Sequence, residues 1–137
     1  MEQRQQFILV AASNKTGEAF IRKLMLQKLP FAALVNSKSE AARLEEIGVK
    51  HFILVDTTEE RTWAMPELPV GKVYLFESSL NLCCRYIRVC HMWTSEPIYV
   101  ITHSVNPRLI YRALGASFVI HTNSHDVSFL LASQRPE

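Results

Sequence analysis

Little in this sequence is present in excess, and the shortages narrow its class. Charge of one sign is missing: 15 Lys and Arg face 13 Asp and Glu, a formal net charge of +2, with the basic residues scattered along the chain. A basic stripe of the kind that holds nucleic acid is therefore excluded. Long apolar runs are missing as well, since none approaches the roughly 18 residues of a membrane span. The opening "MEQRQQ" has no signal-peptide pattern, so the expectation is a cytoplasmic protein with no direct membrane insertion. Cysteine is limited to Cys83, Cys84 and Cys90. An odd set confined to one short stretch argues against a disulfide framework, and its spacing, even with His91 alongside, matches no common zinc pattern. Buried thiols acting as small apolar side chains are the expected role.

What is present is an ordinary globular composition, 48% apolar and 20% charged, with a mean hydropathy of +0.04. A chain of 137 residues suits one domain with one core, read as a tail over 1–6 and a core over 7–134. Short, nearly unbroken apolar runs recur as "FILVAA" (7–12), "FAALV" (31–35), "HFILV" (51–55), "KVYLF" (72–76), "IYVIT" (98–102) and "SFVIH" (117–121). Unbroken rather than alternating runs predict strands covered on both faces. Between them Phe20, Ile21, Leu24 and Met25 form an apolar stripe at helical spacing, and Ala41, Leu44 and Ile47 form another. Ser37 with Glu40 and Thr57 with Glu60 fit the capping box, and Asn106 before Pro107 fits an N-cap with proline at the first helical position. Gly48 and Gly115 stand where helices should stop. Six β-α units at about 20-residue spacing predict one doubly wound parallel sheet of six strands in an α/β/α, Rossmann-type sandwich.

Such sheets bind ligands outside the carboxyl ends of their strands. The positions to inspect are Ala11 to Gly17, Asn36 to Lys38, Asp56, Glu77 to Asn81, His103, and Thr122 to His125. The order of features resembles the N-terminal lobe of RCK domains, also called KTN or TrkA-N domains, the nucleotide-sensing modules of potassium channels and transporters. The similarity is carried by "ARLEEIGVKHFILVDTTEE" (42–60), by the stretch from Glu77 to Thr122 with Asn81 early in its helix, and by the "LGA" before the last strand. The opening turn also resembles the G-x-x-G-x-x-G of NmrA-like atypical short-chain reductases, where "NKTG" stands for "GKTG".

Both resemblances place the middle glycine at Asn14, and the RCK pattern places the first at Ala12 and the third at Gly17. The first glycine permits a tight turn, the second lets backbone approach a pyrophosphate, and the third lets the helix pack closely on the strand. Only Gly17 keeps its job. Asn tolerates a left-handed backbone, so Asn14 is expected to hold the turn while its side chain projects toward the phosphate, with the Ala12 methyl close by. Ser13, Asn14, Lys15 and Thr16 either offer donors and a positive charge to an anion at a helix N-terminus, or simply make a good helix start. After the second strand the ribose-binding acid of NAD proteins is replaced by Asn36, Ser37 and Lys38, which shifts preference toward a phosphorylated ribose or an adenosine phosphate. The RCK resemblance places Asp56 on the adenine side, with capping of a following helix as the alternative. Glu77 is a third candidate, at the mouth between the first and fourth strands, or merely solvated.

Short-chain reductases use a Tyr-x-x-x-Lys pair, and the residues four after Tyr74, Tyr86, Tyr99 and Tyr111 are Ser78, Cys90, His103 and Gly115. No such pair exists. His51, His91, His103, His121 and His125 form no recognised nucleophile or metal pattern, although His103 and His125 could meet at the crevice. The reading is a non-catalytic nucleotide-sensing module with a degenerate dinucleotide site, taking NAD(P) or an adenine nucleotide. The family resemblance implies a homodimer, with Trp63, Met65 and Trp93 available to an interface, and a membrane transport protein as partner. The alternatives are a small NmrA-like NAD(P)-binding protein and a Rossmann scaffold acting only through protein contacts.

Overall fold

The computed structural model describes residues 5–59, 63–104, 108–123 and 126–134. Six strands form one all-parallel sheet: β1 (Phe7–Ala12), β2 (Phe31–Val35), β3 (Phe52–Leu54), β4 (Val70–Phe76), β5 (Ile98–Thr102) and β6 (Phe118–His121), in the order β3-β2-β1-β4-β5-β6. Helices α1 (Lys15–Leu26) and α2 (Lys38–Glu46) follow β1 and β2, and α3 (Leu80–Trp93) and α4 (Arg108–Leu114) follow β4 and β5. The chain runs outward from β1 to β3, then returns to β4 on the far side of β1. The order therefore reverses between β1 and β4, where Ala12 pairs with Phe76.

The central apolar runs became strands with both faces covered, while the edge strands β3 and β6 are only partly covered and leave Leu54 and Phe118 exposed. Leu9 and Ala11 face one cluster with Tyr86, Ile87 and Cys90 of α3, while Val10 and Ala12 face the other with Phe20, Ile21 and Leu24 of α1. Removal of this apolar surface from water is the main force holding the layers together. Cys83 and Cys90 are buried free thiols inside the first cluster, as expected. Gly48 and Gly115 end α2 and α4 at φ 110° and 127°, the left-handed region that side chains avoid.

Two expectations are corrected. The β3–β4 connection carries no helix among the described residues: Thr57 is buried in a turn, and Glu60 lies outside the described residues. The segment is instead pinned by side chains, with Trp63 Nε1 donating to the Asp56 carbonyl (3.1 Å) and Trp93 Nε1 donating to the Trp63 carbonyl (3.0 Å). Trp63 and Trp93 are consequently buried rather than available to a partner, and only Met65 of that trio is exposed. The Asn106–Pro107 cap and His125 lie outside the described residues.

Candidate functional site

The crevice is built where β1 and β4 end side by side. Asn14 is the N-cap of α1, and its Oδ1 accepts from the Gly17 N–H at 2.8 Å. Its Nδ2 reaches across the reversal point and donates to the Glu77 carbonyl at 2.9 Å. Asn14 has φ −145° and ψ 177°, an extended conformation, so the expected left-handed turn is not formed. A capping residue needs an extended backbone to turn its side chain onto the helix, and that requirement won. The side chain covers the helix start instead of projecting beyond it. The Ala12 methyl is corrected too: Ala12 is buried beneath α1, facing Gly17, and not beside a phosphate. A Cβ on Gly17 would lie 2.7 Å from the Ala12 Cα, so Gly17 keeps the close-packing role assigned to the third glycine.

Around this turn Ser13 is half-buried, Lys15 is exposed at the first position of α1, and Thr16 is buried. The Thr16 hydroxyl lies 3.4 Å from His103 Nε2, while His103 Nδ1 bonds the Thr122 carbonyl. In the neutral ring Nδ1 donates to that carbonyl and Nε2 accepts from Thr16. His103 thus ties the start of α1 to the ends of β5 and β6.

Glu77 is the hub of the other half, and it is not merely solvated. Its Oε1 accepts from Thr102 Oγ1 at 2.5 Å and its Oε2 accepts from the Tyr111 hydroxyl of α4. Burial, then the bond to Glu77, pushes the Tyr111 phenol well above its ordinary range, so it stays a donor. Beside it, burial pushes the Cys83 thiol up to about 12; the Tyr111 bond opposes the shift, while the Glu77 and Cys84 charges add to it. Burial also raises Cys84 and Cys90. Thiols held neutral in this way are poor nucleophiles and poor ligands. Among the described residues no group of three or more His, Cys, Asp or Glu side chains could hold a metal ion. Thr102 and Tyr111 escaped the sequence reading; a threonine ending an apolar run was the one available signal.

On the β2–β3 side the residues singled out in sequence converge. Asn36, Ser37, Lys38, Leu54, Val55 and Asp56 line one open cleft of 340 Å³. Ser37 caps α2 through the Glu40 N–H (3.2 Å), and Glu40 Oε1 accepts from the Asn36 N–H (3.3 Å), a capping box displaced by one residue. Asp56 Oδ1 accepts from the Thr58 hydroxyl (2.6 Å) and N–H (3.0 Å), which holds its carboxyl below the usual range. It therefore caps a turn rather than a helix. Lys38 is exposed at the first position of α2. Helices α1 and α2 are joined by an ion pair between Glu18 and Arg43.

A parallel sheet of this order, with a capped helix start at its reversal point, defines a Rossmann-type domain. Among solved structures the chain is similar to the GsuK channel bound to NAD (TM-score 0.70, 18% identity, 88% of this chain and 22% of that one). It is also similar to the TrkA-N domain of the inner membrane protein ybaL from Escherichia coli (0.67, 15%, 98% and 100%). A third is the NAD(P)-binding domain of an exopolyphosphatase-related protein from Archaeoglobus fulgidus (0.68, 17%, 96% and 94%). The chain has the fold of RCK and TrkA-N domains, and it spans about a fifth of the channel chain. No family model and no curated protein matches the sequence. Among the described residues no helix is long and apolar enough to cross a membrane.

Proposed function

We propose that the chain is a nucleotide-sensing regulatory module that binds an adenine nucleotide or NAD(P) without turning it over. The observation that carries this reading is the 340 Å³ cleft, which gathers Asn36, Ser37, Lys38 and Asp56 at the carboxyl edge of the sheet, next to the turn of α1. In this fold that edge receives the nucleoside half of a ligand. The site is degenerate at its phosphate end, because Asn14 caps α1 with its own side chain where a dinucleotide places its pyrophosphate. Lys38 replaces the ribose-binding acid and favours a phosphate over free ribose hydroxyls.

The module acts as a homodimer on a transport protein, through the surface of α3 and α4 that leaves Met92, Leu109 and Ile110 exposed. Light scattering is expected to return twice the chain mass at high micromolar concentration, and a monomer mass removes the dimer. The nucleotide is tested by thermal shift with NAD(H), NADP(H), ATP, ADP, AMP and cyclic dinucleotides, since a ligand of the folded state raises the midpoint. One observation favours the scaffold reading instead: Asn14 already satisfies the helix start. A panel without a single shift would decide for that scaffold.

A further inference from the structure

Parallel strands bring their amino ends together as surely as their carboxyl ends, and in this chain the amino edge of the sheet holds a cleft of its own. It measures 550 Å³, against 340 Å³ for the β2–β3 cleft, and it lies where α1 and α2 end and β1, β2 and β3 begin. Its walls are apolar: Phe7, Met25, Leu29 and Phe31 line it and are each half-buried. His51 stands edge-on to Phe7, with ring centroids 5.3 Å apart. Rings at the starts of two strands, with an adaptable thioether beside them, make a slot for a flat apolar body.

The rim carries one sign of charge. Lys28, Lys50 and His51 are exposed and line the cleft, and among the described residues no Asp or Glu lines it. Neither lysine forms an ion pair among the described residues. Glu45 and Glu46, at the end of α2, are exposed and lie outside the lining. Balancing the helix dipole is the ordinary work of a lysine at a helix end, but two helix ends supply roughly −1 elementary charge between them, against about +2 from two ammonium groups. Carbonyls near both helix ends are also occupied, Leu24 O by the Leu29 N–H (3.1 Å) and Leu44 O by the Val49 N–H (3.2 Å). A positive excess is left above an apolar floor.

Lys28 supplies a second, independent sign. It follows the C-cap of α1 with φ 57°, in the left-handed region. Gly48 takes the same place after α2 with φ 110°, and glycine does so without strain. Strain borne by a charged residue at the rim of a cleft points to a use for that residue.

We propose that this cleft binds a small aromatic carboxylate, its ring against Phe7, Met25 and Phe31 and its carboxylate held by the rim lysines. The site lies at the edge of the sheet opposite the crevice and stands independently of the nucleotide reading.

The test titrates the full chain with 2-naphthoate, with neutral 2-naphthamide and with acetate, and compares the wild type with Lys28→Gly and Lys50→Gln. Urea midpoints of the three proteins are measured without ligand. Naphthoate is expected to bind saturably, and naphthamide and acetate each at least about tenfold more weakly. Each variant is expected to lose about tenfold in naphthoate affinity, the worth of one charge-assisted hydrogen bond. Lys28→Gly is expected to be as stable as the wild type or more so, because glycine relieves the strained turn. No saturable binding of naphthoate at millimolar concentration overturns the site. Naphthamide binding as tightly as naphthoate overturns the role of the charge, and acetate doing so overturns the role of the ring. Unchanged naphthoate affinity in both variants overturns the placement. A Lys28→Gly less stable than the wild type overturns the ligand role of Lys28, since the lysine then serves α1 itself.

Discussion

Asn14 is where fold and ligand compete for the same groups, and its removal should be felt in both. Replacing an Asn cap by Ala costs about 0.5–2 kcal/mol. The bond to the Glu77 carbonyl adds a net contribution of about 0.5–1.5 kcal/mol. The two bonds share one side chain and are not independent, so Asn14→Ala is expected to cost about 2 kcal/mol. For a domain of this size that is a fall in Tm of about 6–10 °C. Asn14→Ser keeps an acceptor for the Gly17 N–H but loses the bridge, and should cost about 1 kcal/mol. Asn14→Asp keeps the cap and suits the helix dipole, but sets a carboxylate against the Glu77 carbonyl. It should therefore be no better than Ser. Urea midpoints of the four proteins give the ranking, and Asn14→Ala within about 0.5 kcal/mol of wild type would refute the two-bond account. The same series reports on the ligand. Asn14→Gly uncovers the helix start at little capping cost and should bind NAD or ADP more tightly than the wild type. Stronger binding by the wild type would make Asn14 a ligand contact and the site specialised rather than degenerate.

Gly17→Ala drives a methyl to within 2.7 Å of the Ala12 backbone, and overpacking of about 1–3 kcal/mol should exceed the helix propensity gained by about 1 kcal/mol. Adding Ala12→Gly should restore only part of the loss, because the closest contact is with Cα; a urea midpoint at or above wild type would refute the close crossing. Alkaline pH should destabilise the fold. The folded Cys83 pKa of about 12 stands above its ordinary value of 9.0, so the unfolded chain releases its proton first. The stability from Cys83 is whole below pH 9 and is lost as pH rises toward 12, at a slope approaching about 1.4 kcal/mol per pH unit, with Cys90, Tyr86 and Tyr111 adding in the same direction. A urea midpoint unchanged between pH 8 and 10.5 would contradict this. Finally, the purified protein should not oxidise NADH or NADPH with carbonyl or quinone substrates, given the absent Tyr-x-x-x-Lys pair. Turnover above a no-protein control that a crevice substitution abolishes would refute it.

The sequence by itself determined the sheet. Six unbroken apolar runs separated by capped helical segments allow one economical burial, a parallel sheet covered on both faces, and the strands formed within two residues of those runs. Ser37, Gly48 and Gly115 were equally legible, because capping and left-handed turns depend on the few residues around them. Asn14 was legible as a site residue but not in its conformation. Its extended backbone follows from capping, which competed with a left-handed turn in the sequence, and its Nδ2 bonds a carbonyl 63 residues away, a bond that no local preference encodes. The same holds for Glu77, whose charge is divided between a β5 threonine and an α4 tyrosine, and for Trp63, which stands in for a helix by bonding Asp56 and receiving Trp93. The gathering of Asn36, Lys38 and Asp56 into one cleft was also left to the fold. Which polar groups meet at the carboxyl edge follows from strand order and register, and only the tertiary structure sets those.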